Sequence, residues 1–121
     1  MADTSWLDGL FAAIDARDAE RFAGYLTDDV VFRFANAQPV HGRAAAEAAV
    51  AGFFGAVRGL RHELTGAWAV DDVVACHGEV TYTRHDGSEL RVPFANILRL
   101  SGDRAREYRI FADTSALFAP G

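Results

Sequence analysis

The chain has 121 residues, 50% hydrophobic and 24% charged, with a net charge of −5 at pH 7. That length suits one domain around one core, and its basic residues are all scattered Arg without a run, which argues against nucleic-acid or anionic-membrane partners, since both require clustered positive charge. The single cysteine, Cys76, excludes an internal disulfide and, without clustered His, a zinc site.

The opening Met-Ala-Asp-Thr-Ser has neither the basic patch nor the apolar stretch of a signal peptide. No apolar run approaches the roughly 20 residues that cross a bilayer, so a cytoplasmic protein is expected. Ser5, with Asp8 three residues on, reads as a capping box. Trp6, Leu10 and Ile14, with Leu7 and Phe11, then recur at helical spacing. Asp18 caps a short second helix with Phe22, Tyr25 and Leu26 on its apolar side. Asp28-Asp29 reads as a turn, and Val30 to Phe34 as a first strand with Val30, Phe32 and Phe34 on one face. A loop from Asn36 to Gly42 leads into the longest helix, Arg43 to Arg58. Val50, Phe53, Phe54 and Val57 form its buried stripe, and Gly59 is its stop.

The period then changes from 3.6 to 2. Arg61 to Ala69 alternates, with His62, Leu64, Gly66 and Trp68 facing one way. Asp71-Asp72 is a turn. Val74, Cys76, Gly78, Val80 and Tyr82 make the apolar face of a third strand, and Asp86-Gly87 is a hairpin signal. Val92, Phe94, Asn96, Leu98 and Leu100 share a face of the fourth strand, where Pro93 warns of a bulge. Ser101-Gly102-Asp103 turns into a fifth strand at 104–112, and Asp113 caps a last turn. Helices followed by hairpin-linked strands define an α+β class. The expected architecture is a single domain over residues 1–121, a cone-shaped α+β barrel. Three N-terminal helices cover the apolar face of a curved, mostly antiparallel sheet.

Four segments carry a resemblance. They are Leu26-Thr27-Asp28-Asp29-Val30-Val31-Phe32, His41-Gly42-Arg43-Ala44-Ala45, Asp86-Gly87, and Arg109-Ile110-Phe111-Ala112-Asp113. Their order and spacing resemble the nuclear transport factor 2-like superfamily, in particular its SnoaL-like branch, over nearly the whole chain. That superfamily includes ketosteroid isomerases, limonene epoxide hydrolases and polyketide cyclases. The resemblance implies a cystatin-like cone with a cavity between helices and concave sheet. It also implies homodimerisation through the outer sheet face, where Thr81, Thr83, Ala95 and Ile97 are small or apolar enough to pack.

The resemblance also implies where carboxylates would stand. The isomerase base aligns with Phe34, the helical Tyr falls close to Leu10, and the second acid aligns with Asn96. The third-strand pair of the epoxide hydrolases aligns with Gly78 and Val80. The last-strand Asp shared by hydrolases and cyclases aligns with Ile110. Asp113 survives, with a turn-capping role as its plainer reading.

The remaining candidates follow from these faces. His62 is either a general base, since imidazole titrates near neutrality, or a sheet-rim histidine bonded to backbone or water. Asn96 is either a ligand anchor or satisfied by a neighbouring Tyr, His or backbone group. Phe34, Phe53, Trp68, Val80, Tyr82, Phe94, Tyr108 and Ile110 are expected to line a ligand pocket, though Trp68, Tyr82 and Tyr108 also read as core aromatics. No phosphate loop, nucleophile elbow or metal spacing is present, so no cofactor and no metal is expected. Two functions stay open. One is a pocket protein for a small apolar molecule, as a cofactor-independent isomerase, cyclase or hydrolase. The other is a non-catalytic ligand-binding or dimerisation module.

Overall fold

The computed structural model describes residues 4–117. Helix α1 runs Trp6–Asp15 and buries Leu7, Leu10, Phe11, Ala13 and Ile14. Each fully buried Leu contributes about 1.5–3 kcal/mol. The capping box at Ser5 does not form: Ser5 already has helical dihedrals, φ −63° and ψ −22°, and its side chain does not cap. The turn instead begins with a Leu7 N–H bond to the Thr4 carbonyl at 3.0 Å. Helix α2 is Ala19–Ala23, and the Asp18 carboxylate does cap it, accepting from the Arg21 N–H at 3.0 Å. Helix α3 is Arg43–Ala56. Gly59 is not its stop. Val57 is already extended and fully buried, and the Arg17 guanidinium satisfies the Phe54 and Val57 carbonyls at 3.1 and 3.0 Å.

The strands are β1 (Leu26–Phe34), β2 (Val40–His41), β3 (Gly59–Val70), β4 (Val73–Thr83), β5 (Glu89–Ser101) and β6 (Arg104–Ala112). They form one curved, unclosed sheet in the order β2-β1-β6-β5-β4-β3, with β1 parallel to β6 and every other neighbour antiparallel. The α+β class is as expected. Asp28-Asp29 is not a turn: both residues lie in β1, where Thr27 Oγ1 donates to Asp29 at 2.8 Å and Arg43 pairs with Asp28. The loop from Asn36 to Gly42 contains β2, whose Val40 pairs with Phe32.

Two register findings matter for the site. Pro93 causes no bulge. Glu79↔Pro93 lies within an unbroken β4–β5 ladder, and the β5–β6 ladder reaches only to Phe94, so no bond to β6 is lost. A bulge sits instead in β3, between Leu64 and Gly66, where Thr65 is the extra residue. It reverses the faces that follow. Ala67 and Ala69 therefore pack on the core, and Trp68 turns to the convex side, 56% exposed and stacked on His77 at 5.5 Å. Thr81, expected on an open outer face, is buried.

The core fills the space between α1, α2, α3 and the concave face. Val74, Cys76, Val80, Tyr82, Phe94, Leu98, Leu100 and Tyr108 are its sheet side. Among the described residues no helix is long and apolar enough to cross a membrane.

Candidate functional site

Between α1, α3 and the concave sheet lies a cavity of about 230 Å³. Its walls are apolar by construction. Alternation along β1, β4, β5 and β6 turns Phe32, Phe34, Val80, Phe94 and Ile110 inward, and the helices add Ile14, Phe22, Val50, Phe53 and Phe54. Aromatic rings pack edge to face around it: Phe53 lies 5.7 Å from Tyr82, and Phe32 lies 5.4 Å from Tyr108. Among the described residues, none that lines it is Arg, Asp or Glu. The polar ones are His62, Asn96, Tyr82 and Tyr108, with Gln38 on the loop before β2.

His62 comes from the start of β3, beside the last residue of α1. That residue, Asp15, holds it twice. One carboxylate oxygen accepts the His62 backbone N–H at 3.1 Å, and the other lies 2.7 Å from ring Nδ1. A carboxylate can only accept, so Nδ1 carries a proton, and the neutral tautomer that this bond selects has Nε2 as its acceptor. Phe11 and Phe94 flank the imidazole at 4.8 and 5.1 Å. Packing and two hydrogen bonds thus fix its orientation. Neither sequence alternative for His62 named this partner.

Asn96 sits on β5 between Cys76 of β4 and Ile110 of β6. It is 2% exposed, and its Oδ1 has no hydrogen-bond partner among the described residues. The Tyr108 hydroxyl is in the same condition. A buried polar atom left unpaired costs about 1–3 kcal/mol, and native proteins contain few. Burial pushes the Tyr82 phenol up to about 12 and raises that of Tyr108 further. Both tyrosines are therefore neutral at physiological pH, available as donors and not as bases. Burial likewise pushes the Cys76 thiol up to about 11, which makes it an inert core group. Among the described residues, imidazole is left as the one basic side chain on the cavity wall.

The structure brings His62, Asn96, Phe34, Phe53, Val80, Tyr82, Phe94, Tyr108 and Ile110 to one cavity. Trp68 is not among them, because the β3 bulge carries it to the opposite face. Leu10 is fully buried within α1 packing and does not reach the cavity. Asp113 makes the turn expected of it, accepting the Ser115 N–H at 3.0 Å, and hydrogen bonds from the Ser115 hydroxyl first and its N–H second hold its carboxyl below the usual range. Asp15 is the residue that sequence reasoning missed. The available signal was its position: a carboxylate as the last residue of a helix opposes the macrodipole, so something else must favour it there.

The sequence profile of the SnoaL-like domain matches residues 7–108. No curated protein matches in sequence. Three solved structures superpose closely. A candidate SnoaL-like polyketide cyclase from Jannaschia Sp. CCS1 is 20% identical over 98% of this chain and 92% of that one, with a TM-score of 0.82. A hypothetical protein with a ketosteroid isomerase-like fold from Catenulispora acidiphila DSM 44928, in complex with trimethylamine, is 15% identical over 91% and 86%, with a TM-score of 0.83. TerC, co-crystallized with polyporic acid, is 18% identical over 93% and 92%, with a TM-score of 0.81. At these identities the likeness is one of fold.

Proposed function

The chain belongs to the SnoaL-like domain family, and on that premise we propose that its cavity binds a small, largely apolar ring compound and transfers a proton on it through His62, without a cofactor. The observation that carries this reading is the pair of unpartnered buried polar atoms, Asn96 Oδ1 and Tyr108 Oη, in an apolar cavity beside an imidazole clamped by Asp15. A ligand that supplies the missing hydrogen bonds recovers their cost.

Volume limits the ligand. Drug-sized molecules occupy pockets of about 300–1,000 Å³, whereas a dry cavity of about 150 Å³ takes benzene. A space of about 230 Å³ accordingly suits one ring or two small fused ones. Isomerisation, cyclisation and hydrolysis all begin with removal of a proton from carbon or from water. Nε2 of His62 is the acceptor for it, and the resulting imidazolium is stabilised by Asp15 and returns the proton later. In this reading the Tyr108 hydroxyl donates to an oxygen on which charge develops, and Asn96 Oδ1 accepts from a donor on the ligand.

The test is deuterium exchange. In D2O, exchange at the carbon next to the carbonyl of 2-cyclohexenone is followed by NMR, with the protein and with its His62→Ala variant. Acceleration that the variant loses supports the reading. Binding without acceleration sinks the catalytic half and leaves a ligand carrier, which the loss of carboxylates at Phe34 and Ile110 would suit.

We also propose a homodimer through the convex face. Trp68, Ile97 and Phe111 are exposed there, each at least 42%, between Arg–Glu pairs such as Arg91–Glu63 and Arg99–Glu107. An apolar stripe with a charge-paired border fits a second copy of itself. A monomeric mass in light scattering at micromolar concentration would count against it.

A further inference from the structure

A second cleft, outside the main cavity, opens between the end of β1 and the segment after β6. It is lined by Phe34, Asn36, Phe53, Asp113, Thr114 and Ser115, among others. Its walls differ in character from those of the cavity: its outer side carries an amide, two hydroxyls and a carboxylate. The two spaces are neighbours, because Phe34, Ala37 and Phe53 line both. The Phe34 and Phe53 rings, 5.0 Å apart between centroids, are the partition.

The charge among the side chains that line this pair of spaces is one-sided. The chain has twelve Arg, yet none lines either space. Asp113 does line the cleft, and its carboxylate, which accepts from both the hydroxyl and the N–H of Ser115, has lone pairs left for a further donor. Among the lining side chains a carboxylate or phosphate on a ligand finds no countercharge, since the Arg33 Nε at their edge is committed to the Ala37 carbonyl at 3.1 Å, whereas an ammonium or a hydroxyl finds an acceptor.

We propose that this cleft is a second subsite, reached across the Phe34–Phe53 pair, that takes the neutral-donor or cationic polar end of a ligand whose ring occupies the cavity. The inference rests on the ligand-binding half of the proposed function and adds the chemical class: a ring compound bearing a hydroxyl or amine arm, not an acid.

Three probes that share a phenol ring test it by calorimetry: 4-ethylphenol, tyramine and 3-(4-hydroxyphenyl)propionate. Tyramine is expected to bind about threefold more tightly than 4-ethylphenol, the size of an exposed ion pair, and the propionate more weakly. The tyramine advantage should shrink at 0.5 M salt, where such pairs are screened. Asp113→Asn keeps the oxygen that accepts from Ser115 and removes only the charge. In that variant tyramine and 4-ethylphenol should bind alike, with 4-ethylphenol unchanged. Equal affinity for all three probes in the wild-type protein overturns the subsite while leaving the cavity's role standing. A tyramine advantage that survives Asp113→Asn overturns it too. Failure of every probe to bind removes the ligand-binding reading and the subsite together.

Discussion

Asp15 carries an unfavourable charge for its place. A carboxylate at a helix C-terminus loses about 0.3–1 kcal/mol to the macrodipole, and the two bonds to His62 offset it. Substitution by Asn keeps a side-chain oxygen but no longer dictates which ring nitrogen holds the proton. In Asp15→Asn we expect stability within about 1 kcal/mol of wild type, a changed His62 tautomer in nitrogen NMR, and a fall of about 10²–10⁴ in His62-dependent exchange. An unchanged tautomer would deny Asp15 that role. Asn96 makes the opposite prediction. Asn96→Leu replaces an unsatisfied amide by an apolar side chain of similar volume, so urea unfolding should show a gain of about 1 kcal/mol, together with loss of any ligand-induced rise in Tm. Loss of stability instead would mean that the amide is satisfied.

At the scale of elements, what could be read from the chain and what could not divide along physical lines. β4 and β5 were legible because one face is buried along their whole length, which fixes the alternation. α3 was legible for the same reason at helical period, through Val50 and Phe54, but its end was not, since Val57 is already extended. Thr65 was not, since a bulge adds a residue without altering composition, and the faces after it, Trp68 included, came out reversed. β2, two residues long, has no pattern to find. The contact that makes the candidate site, Asp15 to His62, spans 47 positions and belongs to neither element's own periodicity. Substitutions should follow this geometry. Trp68→Ser, on the convex side, should change monomer stability by no more than about 0.5 kcal/mol and leave ligand binding intact. Gly78→Ala should cost about 3 kcal/mol, because its Cβ would strike the Glu63 carbonyl across the β3–β4 ladder, where only backbone can move. Thermal unfolding of both variants checks the contrast.

For the molecule as a whole, the buried acids set an alkaline limit. Folding raises Cys76 from 9.0 to about 11 and Tyr82 from 10.0 to about 12, both through burial. In these windows the unfolded chain binds fewer protons than the folded one, so stability is complete below about pH 9 and declines as pH rises. Each group's shift of about two units corresponds to about 2.7 kcal/mol. Denaturant midpoints measured from pH 8 to 11 should therefore fall, and Cys76→Ala should flatten the lower part of the slope. A midpoint that is flat to pH 11 would contradict the burial of both.

The parallel pairing of β1 with β6 has a consequence during synthesis. Leu26 to Phe34 must wait for 105–110 before they have that neighbour, and the Trp6 indole bonds the Asp103 carbonyl at 2.7 Å. A growing chain can form its helices and, later, the β3–β4–β5 hairpins in the order they emerge from the ribosome. It cannot close the cavity, because Tyr108 and Ile110 are walls of it. Ligand binding should therefore be absent from ribosome-held chains that stop at residue 100 and arise only once β6 is free, so that any ligand acts on the finished protein and not as a template for its folding.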